Sequence, residues 1–253
     1  MKWDLNRGIA VIVLLWAPLS LADDPATPIV VLDPGHGGTN AGAPAVRDGL
    51  FEKHLTLALA DEVRELLEAG GIRVVLTRET DNYMTLRQRS QIANALCADA
   101  FVSIHANASP NHTQSGYETY ILSPDAVDVD TRALRHSETS PHPVADDELA
   151  HALADIERGT TMPESARLAA SIQSQLRQER GDAGDRGVRQ ASMHVLLGAT
   201  MPAVLVEVGF IDHADEGEDL LAAETRTKIA VALANGIVSG LASPDATPRR
   251  SSQ

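Results

Sequence analysis

Residues 29–32 read Ile-Val-Val-Leu, and the run ends at Asp33-Pro34-Gly35-His36-Gly37-Gly38. Four apolar residues without alternation predict a strand buried on both faces, which confines the chain to a sheet layered between helices. Proline and three glycines around one histidine predict a tight loop in which backbone, rather than bulky side chains, surrounds the imidazole. The loop leaves the carboxyl end of its strand, where open α/β sheets keep their ligand sites. By itself the motif also reads as a glycine turn that contains a histidine.

The rest of the chain keeps the rhythm. Residues 51–69 carry Leu55, Leu59, Val63 and Leu66 at helical spacing, and Gly70-Gly71 stops the helix. A strand is expected at 72–77, and then a helix at 84–97 with Leu86, Ala93 and Leu96 on one side. Further strands are expected at 101–105, 117–122 and 203–208, with helices at 163–180 and 223–241. Pro163 and Glu164 suit a first helical turn. Alternating strands and helices predict an α/β fold: a single domain over 29–241, with a twisted, mostly parallel sheet flanked by helices on both faces. One stretch, 123–158, breaks the pattern. It is rich in Asp, Glu, Pro and His, has helical character only at 145–156, and reads as an acidic insertion in the sheet.

The N-terminus carries Lys2 and Arg7, then an apolar core at 8–16, then Ser20-Leu21-Ala22. This predicts a signal peptide over 1–22, followed by a short linker at 23–28 and, at the other end, a frayed tail at 242–253. Both tryptophans, Trp3 and Trp16, fall in that leader, which excludes a tryptophan platform for glycan. A sugar would be held by polar groups or by Tyr83, Tyr117 and Tyr120. The net charge of −14 argues against nucleic acid and anionic membranes as partners. Cys97 is the single cysteine, so the chain has no internal disulfide and no thiolate metal cluster; its apolar surroundings predict a buried small hydrophobe.

Of nine histidines, two stand at strand ends, His36 and His105. Two carboxylates hold comparable places. Glu52 opens the first helix, and Glu207 interrupts the otherwise apolar Ala-Val-Leu-Val-Glu-Val of 203–208, a costly position unless a cation or strong donors face it. Successive parallel strands end on one rim, so the four groups can converge although 16, 53 and 102 residues separate them in turn. Two imidazoles and a carboxylate with a fourth position open suit catalytic zinc better than calcium or magnesium. A further carboxylate beside the metal is what a hydrolase needs as proton carrier. Taken singly, His105 also fits a hydrogen-bonded core histidine, and Glu52 a charge favoured by the helix dipole.

The segments DPGHGG (33–38), FEKHLTLALA (51–60), TRETDNYMTLRQRSQIAN (77–94), SIHANAS (103–109) and MPAVLVEVGFI (201–211) resemble the zinc-dependent N-acetylmuramoyl-L-alanine amidases of bacterial cell walls. The resemblance covers nearly all of 29–241 and implies a periplasmic or secreted enzyme acting on peptidoglycan. It implies one zinc ion bound by His36, Glu52 and His105, with Glu207 as the catalytic carboxylate. It also implies that a segment such as 123–158 can cover the metal until an activator protein removes it; Glu138, His142, Asp146, Asp147 and Glu148 are of types that reach a metal. A solvated loop is the other reading of that segment. The chain departs from the family at Asp212-His213, where Ser-Asn is common.

Around these residues, His54 is expected on the surface of its helix, and Arg78, Asp81, Arg87 and Arg89 in structural pairs, one arginine being able to meet peptide carboxylates. Asn107 is a candidate to support the metal ligands, and His194 to line the groove. Two other functions fit the residues less well: a zinc exopeptidase on free wall peptides, and a catalytically silent wall-binding or regulatory protein.

Overall fold

A computed structural model describes residues 27–122 and 148–242, and of residues 148–160 the backbone alone. The expected leader, most of the linker, most of the acidic insertion and nearly all of the tail lie outside the described residues. Six strands form one sheet: β1 (Ile29–Pro34), β2 (Arg73–Leu76), β3 (Ala100–Asn107), β4 (Tyr117–Leu122), β5 (Asp185–Ala191) and β6 (Ala203–Phe210). Their spatial order is β2-β1-β3-β6-β4-β5. β2, β1, β3 and β6 are parallel; β4 pairs antiparallel with β6, and β5 follows β4 in parallel. The expected mostly parallel α/β sheet is therefore the observed one. The chain moves outward from β1 to β2 and then returns to β3 on β1's other side, so the strand order reverses between β1 and β3.

Alternation along the strands builds two cores. Val30, Leu32, Val102, Ile104, Val204 and Val206 face one way, against three helices: α1 (Glu52–Ala69), α3 (Glu148–Arg180) and α5 (Ala223–Leu241). Helix α1 offers Leu55, Leu59, Val63 and Leu67 to this core, while Leu66 is 40% exposed, one position off the expected stripe. Helix α5 lies close enough to α3 that a Cβ on Gly236 would stand 2.6 Å from the Cα of Ile172. Ile29, Val31, Phe101, Tyr120 and Leu205 face the other way, against α2 (Leu86–Ala95) and the short turn around Val195 and Leu196. Thr85 caps α2 by accepting from the Gln88 N–H, and the Gln88 side chain accepts from the Thr85 N–H in return.

On this second face each strand changes character along its length. Apolar side chains fill one half; then Asp33 follows Val31, Ser103 and His105 follow Phe101, and Glu207 follows Leu205. Strand β4 runs backward, so its beginning, Glu118, joins the same row. The result is a polar rim above an apolar floor, all within one face of the sheet.

Two local expectations are corrected, and two elements appear that were not expected. Pro163 does not open a helix: α3 runs through it from Glu148. Proline removes its own N–H bond, here the one to the Gly159 carbonyl, and its ring crowds that carbonyl, a cost that the packing of a long helix on the sheet outweighs. Cys97 is exposed, because α2 ends at Ala95 and Cys97 takes a left-handed φ of 47° in the turn that follows. A helix α4 (Ala214–Leu221) and strand β5 had no apolar signature to announce them.

Candidate metal centre

The His36 loop is built by two arginines. Arg89, on the inner face of α2, pairs with the fully buried Asp33 at 2.7 Å and donates to the carbonyls of Pro34 and His36. Asp33 also accepts from Thr77 Oγ1 and Ser103 Oγ. Burial pushes the Asp33 carboxyl up, but Arg89 and the two hydroxyls outweigh it and hold the group below the usual carboxylate range. Arg78 donates to the carbonyls of Pro34, Gly35 and Lys53. So clamped, His36 adopts a left-handed φ of 59°, uncommon for a residue with a side chain. Asp81 accepts from the Gly38 N–H and from Lys53 Nζ at the outer edge of the loop.

Three sequence-expected groups meet there. His36 Nε2 lies 2.9 Å from Glu52 Oε2, and His105 Nδ1 lies 2.9 Å from Glu52 Oε1. One ligand atom from each of His36, Glu52 and His105 falls within 4.8 Å of the others, and all three residues are buried. His36 arrives on the loop after β1, His105 near the end of β3, and Glu52 at the first turn of α1. That is the crevice where the strand order reverses, the ordinary ligand site of an open α/β sheet. Asn40 Oδ1 lies 3.0 Å from His36 Nδ1, an arrangement that fixes a tautomer with Nε2 turned to Glu52. The N–H groups of Ala43 and Ala106 donate to Glu52 Oε2 and Oε1. Burial raises the Glu52 carboxyl, and the two imidazoles reverse the shift and hold it well below its ordinary value.

Two glycines leave room for the ligands. A Cβ on Gly35 would lie 2.3 Å from the His105 ring, and one on Gly42 would lie 2.6 Å from Glu52 Oε2. The chemistry of the donor set therefore fits a zinc ion: two nitrogens and one carboxylate, converging, buried and held by hydrogen bonds behind them.

Glu207 stands beside this triangle. Its Cα is the register partner of His105 across β3 and β6, and both belong to the polar row of the second face. It is 3% exposed. Glu118 lies opposite Glu207 on β4. It was missed from the sequence, although Tyr-Glu-Thr-Tyr-Ile-Leu at 117–122 carries the same signal that drew attention to Glu207: one carboxylate in an apolar strand. Tyr120 donates its hydroxyl to Glu118, and burial together with the Glu118 and Glu207 charges pushes the phenol up, keeping it a donor.

Other expected residues are elsewhere. Asn107 donates to Glu118 rather than to a metal ligand. His194 follows β5, whose end pairs with the end of β4 at Leu122, on the rim opposite the triangle; it lines no groove at this site. His54 is exposed and accepts from the Phe51 N–H. Arg87 is exposed. Tyr117 and Tyr120 are each 1% exposed, which leaves Tyr83, 38% exposed, as the tyrosine open to a sugar. The Asp212-His213 departure is compensated locally. Asp212 Oδ2 accepts from the Ser109 N–H and lies 2.8 Å from His112 Nδ1, while His213 caps α4.

Donors of this kind, in the crevice of an open α/β sheet, are of the type found in metal-dependent hydrolases. Comparison supplies the family. A family model described as N-acetylmuramoyl-L-alanine amidase matches residues 30–239, and the chain belongs to that family of enzymes. The N-acetylmuramoyl-L-alanine amidase AmiA of Escherichia coli K12 is 35% identical over 219 residues, 83% of this chain and 75% of that protein. Among solved structures, the N-acetylmuramoyl-L-alanine amidase of Clostridium difficile 630 superposes with a TM-score of 0.67 at 28% identity, covering 86% of this chain and 98% of its own. AmiC2 of Nostoc punctiforme gives 0.64 at 30% identity, covering 85% and 97%.

Proposed function

We propose that this chain hydrolyses the amide between the lactyl group of N-acetylmuramic acid and L-alanine in peptidoglycan, using zinc held by His36, Glu52 and His105. The observation that carries the reading is the buried His36–Glu52–His105 triangle with Glu207 beside His105 in register. A bound zinc ion supplies Lewis acidity and lowers the pKa of water toward neutrality. Glu207 takes a proton from the attacking water as the C–O bond forms, and delivers one to the alanine nitrogen as the C–N bond breaks. Asn40 holds the His36 ring, and the Ala43 and Ala106 amides orient the Glu52 carboxylate, so the ligand atoms are placed before substrate arrives.

The test combines metal analysis with dye release from labelled peptidoglycan, before and after chelation and zinc return. The expected result is about one zinc per chain, loss of release on chelation, recovery with zinc, new alanine amino termini and uncut glycan strands. Glu207→Gln is expected to keep zinc and lose at least about 100-fold in rate. Full activity in that variant removes Glu207 from its role.

The signal peptide expected at 1–22 places the enzyme in the cell envelope, periplasmic or secreted. Among the described residues no helix is long and apolar enough to cross a membrane. The role is cell-wall remodelling or daughter-cell separation, with an activator protein acting on the 123–158 insertion. Removal of 125–149 then raises the basal rate of dye release; an unchanged rate in a folded variant counts against that control.

A further inference from the structure

Strand β6 gains one residue just past Glu207. His105 lies opposite Glu207 and Asn107 opposite Phe210, so two steps along β3 match three along β6. The extra residue makes a β-bulge at Val208-Gly209, where Gly209 takes a φ of 156°. A bulge interrupts the ladder, bends its strand and re-aims the side chains beside it. Pairing with β4 also stops at Glu207, whose partner there is Glu118. Glu207 is thus the last residue of the regular ladder toward both neighbours, and the buried backbone that follows needs other partners.

Two side chains carried by helices supply them. Arg180, the last residue of α3, donates from Nη1 to the Val208 carbonyl and from Nη2 to Glu216 Oε1 at 2.8 Å. Glu216, in the first turn of α4, accepts from the Phe210 N–H through Oε2 at 2.8 Å. The same carboxylate accepts from the Gly116 N–H, two residues before Glu118. This ion pair therefore joins α3, α4, the entry to β4 and the exit of β6. Its side chains are only 13% and 11% exposed, and the guanidinium lies over the Tyr117 ring, 5.4 Å from its centroid. Gly209 leaves room for it, since a Cβ there would stand 3.1 Å from Arg180 Nη1 and 2.9 Å from Leu220 Cδ1. A pair so far out of water holds its geometry, because parting the charges leaves each one buried and uncompensated. What it holds is the backbone one and three residues beyond Glu207.

We propose that Arg180 and Glu216 are positioning residues for Glu207: by taking up the backbone groups of the bulge, they fix the end of β6 and so the place of the Glu207 carboxylate beside the metal triangle. The proposal rests on the amidase reading with Glu207 as proton carrier, and its test separates the two. Hydrolysis of a soluble muramoyl-peptide by the zinc-loaded full chain is measured for the wild type, Arg180→Met, Arg180→Lys and Glu216→Gln. Zinc affinity is read by chelator competition, and amide exchange is followed at Phe210 and Gly116. Arg180→Met is expected to lose about 10–100-fold in kcat, as a misplacement of about 1 Å does. KM and zinc affinity are expected to stay within about twofold. Arg180→Lys, which keeps the charge and reaches one of the two acceptors, recovers part of the rate, and it carries the test if Arg180→Met fails to fold. Glu216→Gln is expected to lower kcat and to speed exchange at Phe210 and Gly116. The arginine changes are then repeated in a Glu207→Gln background. There they are expected to alter the residual rate by less than about twofold, because the group that they misplace is already gone. Folded variants with wild-type kcat overturn the proposal and leave the amidase reading standing. So does an equal fold-loss in both backgrounds, or a loss that follows zinc affinity. A wild type without amidase activity, or Glu207→Gln with full activity, overturns the underlying reading and the positioning role with it.

Discussion

Gly35 is where the centre is tightest, and replacing it with alanine isolates one physical term. The new Cβ would lie 2.3, 2.5 and 2.6 Å from three atoms of the His105 ring, whereas ordinary contact begins at 3.4 Å. The ring must retreat by about 1 Å, because a close-packed interior offers no slack. It cannot do so and keep its place, since Nδ1 is held 2.9 Å from Glu52 Oε1. Gly35 has no left-handed φ, so the substitution adds a clash without backbone strain; Gly42, at φ +71°, would confound the two. Overpacking of this kind costs about 1–3 kcal/mol, a fall in melting temperature of roughly 2–12 °C for a domain of this size. Displacing a ligand is expected to cost about 10–100-fold in zinc affinity, and misplacement of about 1 Å about 100-fold in rate. Competition against a chromogenic chelator reads the first, dye release the second and circular dichroism the stability. If Gly35→Ala binds zinc within twofold of wild type while remaining folded, the claim that this glycine sets the His105 position is wrong.

Other outcomes follow from the groups around the loop. Arg89→Met leaves Asp33 charged and uncompensated in the core, and urea denaturation is expected to show a loss of about 3–5 kcal/mol. The double variant Asp33→Asn, Arg89→Met should lose less than the sum of the single changes. The Asp33 carboxyl titrates below its ordinary value in the fold, so the unfolded chain binds the extra proton first. Its contribution to stability is complete above about pH 4, where the unfolded group ionises, and disappears as pH falls through the lower folded value. Asp33→Asn should flatten that acid limb in denaturation curves taken from neutral pH downward. Asp212→Ala removes the acceptor for the Ser109 N–H and the partner of His112, at about 1–3 kcal/mol. Faster amide exchange at Ser109 is the local signature, and an unchanged rate would show that the loop is held by something else.

The parts of the chain that could be read in advance are those where one physical demand dominates. Strands β1, β3 and β6 are covered on both faces, so their sequences are nearly all apolar, and a single charged residue such as Glu207 stands out. Strand β5 lies at the edge with only Ala191 buried, and Asp-Arg-Gly-Val-Arg-Gln-Ala carries no such mark. Pro163 was misread because local propensity favours a helix start, while packing of α3 on the sheet carries the helix through. His36, Glu52 and His105 were legible as types at strand and helix ends. Their support by Asn40, Arg78 and Arg89 depends on loop conformation, including the left-handed backbone at His36, which no periodicity encodes.

The reversed direction of β4 bears on the acidic segment. Tyr120 pairs with Leu205, so Leu122 leaves the sheet level with Ala203, at the far rim from His36 and His105. Helix α3 touches that same rim, where Ser165 Oγ accepts from the Ala203 N–H. The chain thus leaves the sheet at Leu122 on the rim opposite His36 and His105, about 13 Å of strand length below the level of His105. Residues 123–147 have a contour of about 85 Å at full extension, enough to reach His36 and His105 and return. Control of the enzyme through this segment would therefore be exerted from a distance by a long tether, and shortening it residue by residue should abolish that control at a definite length.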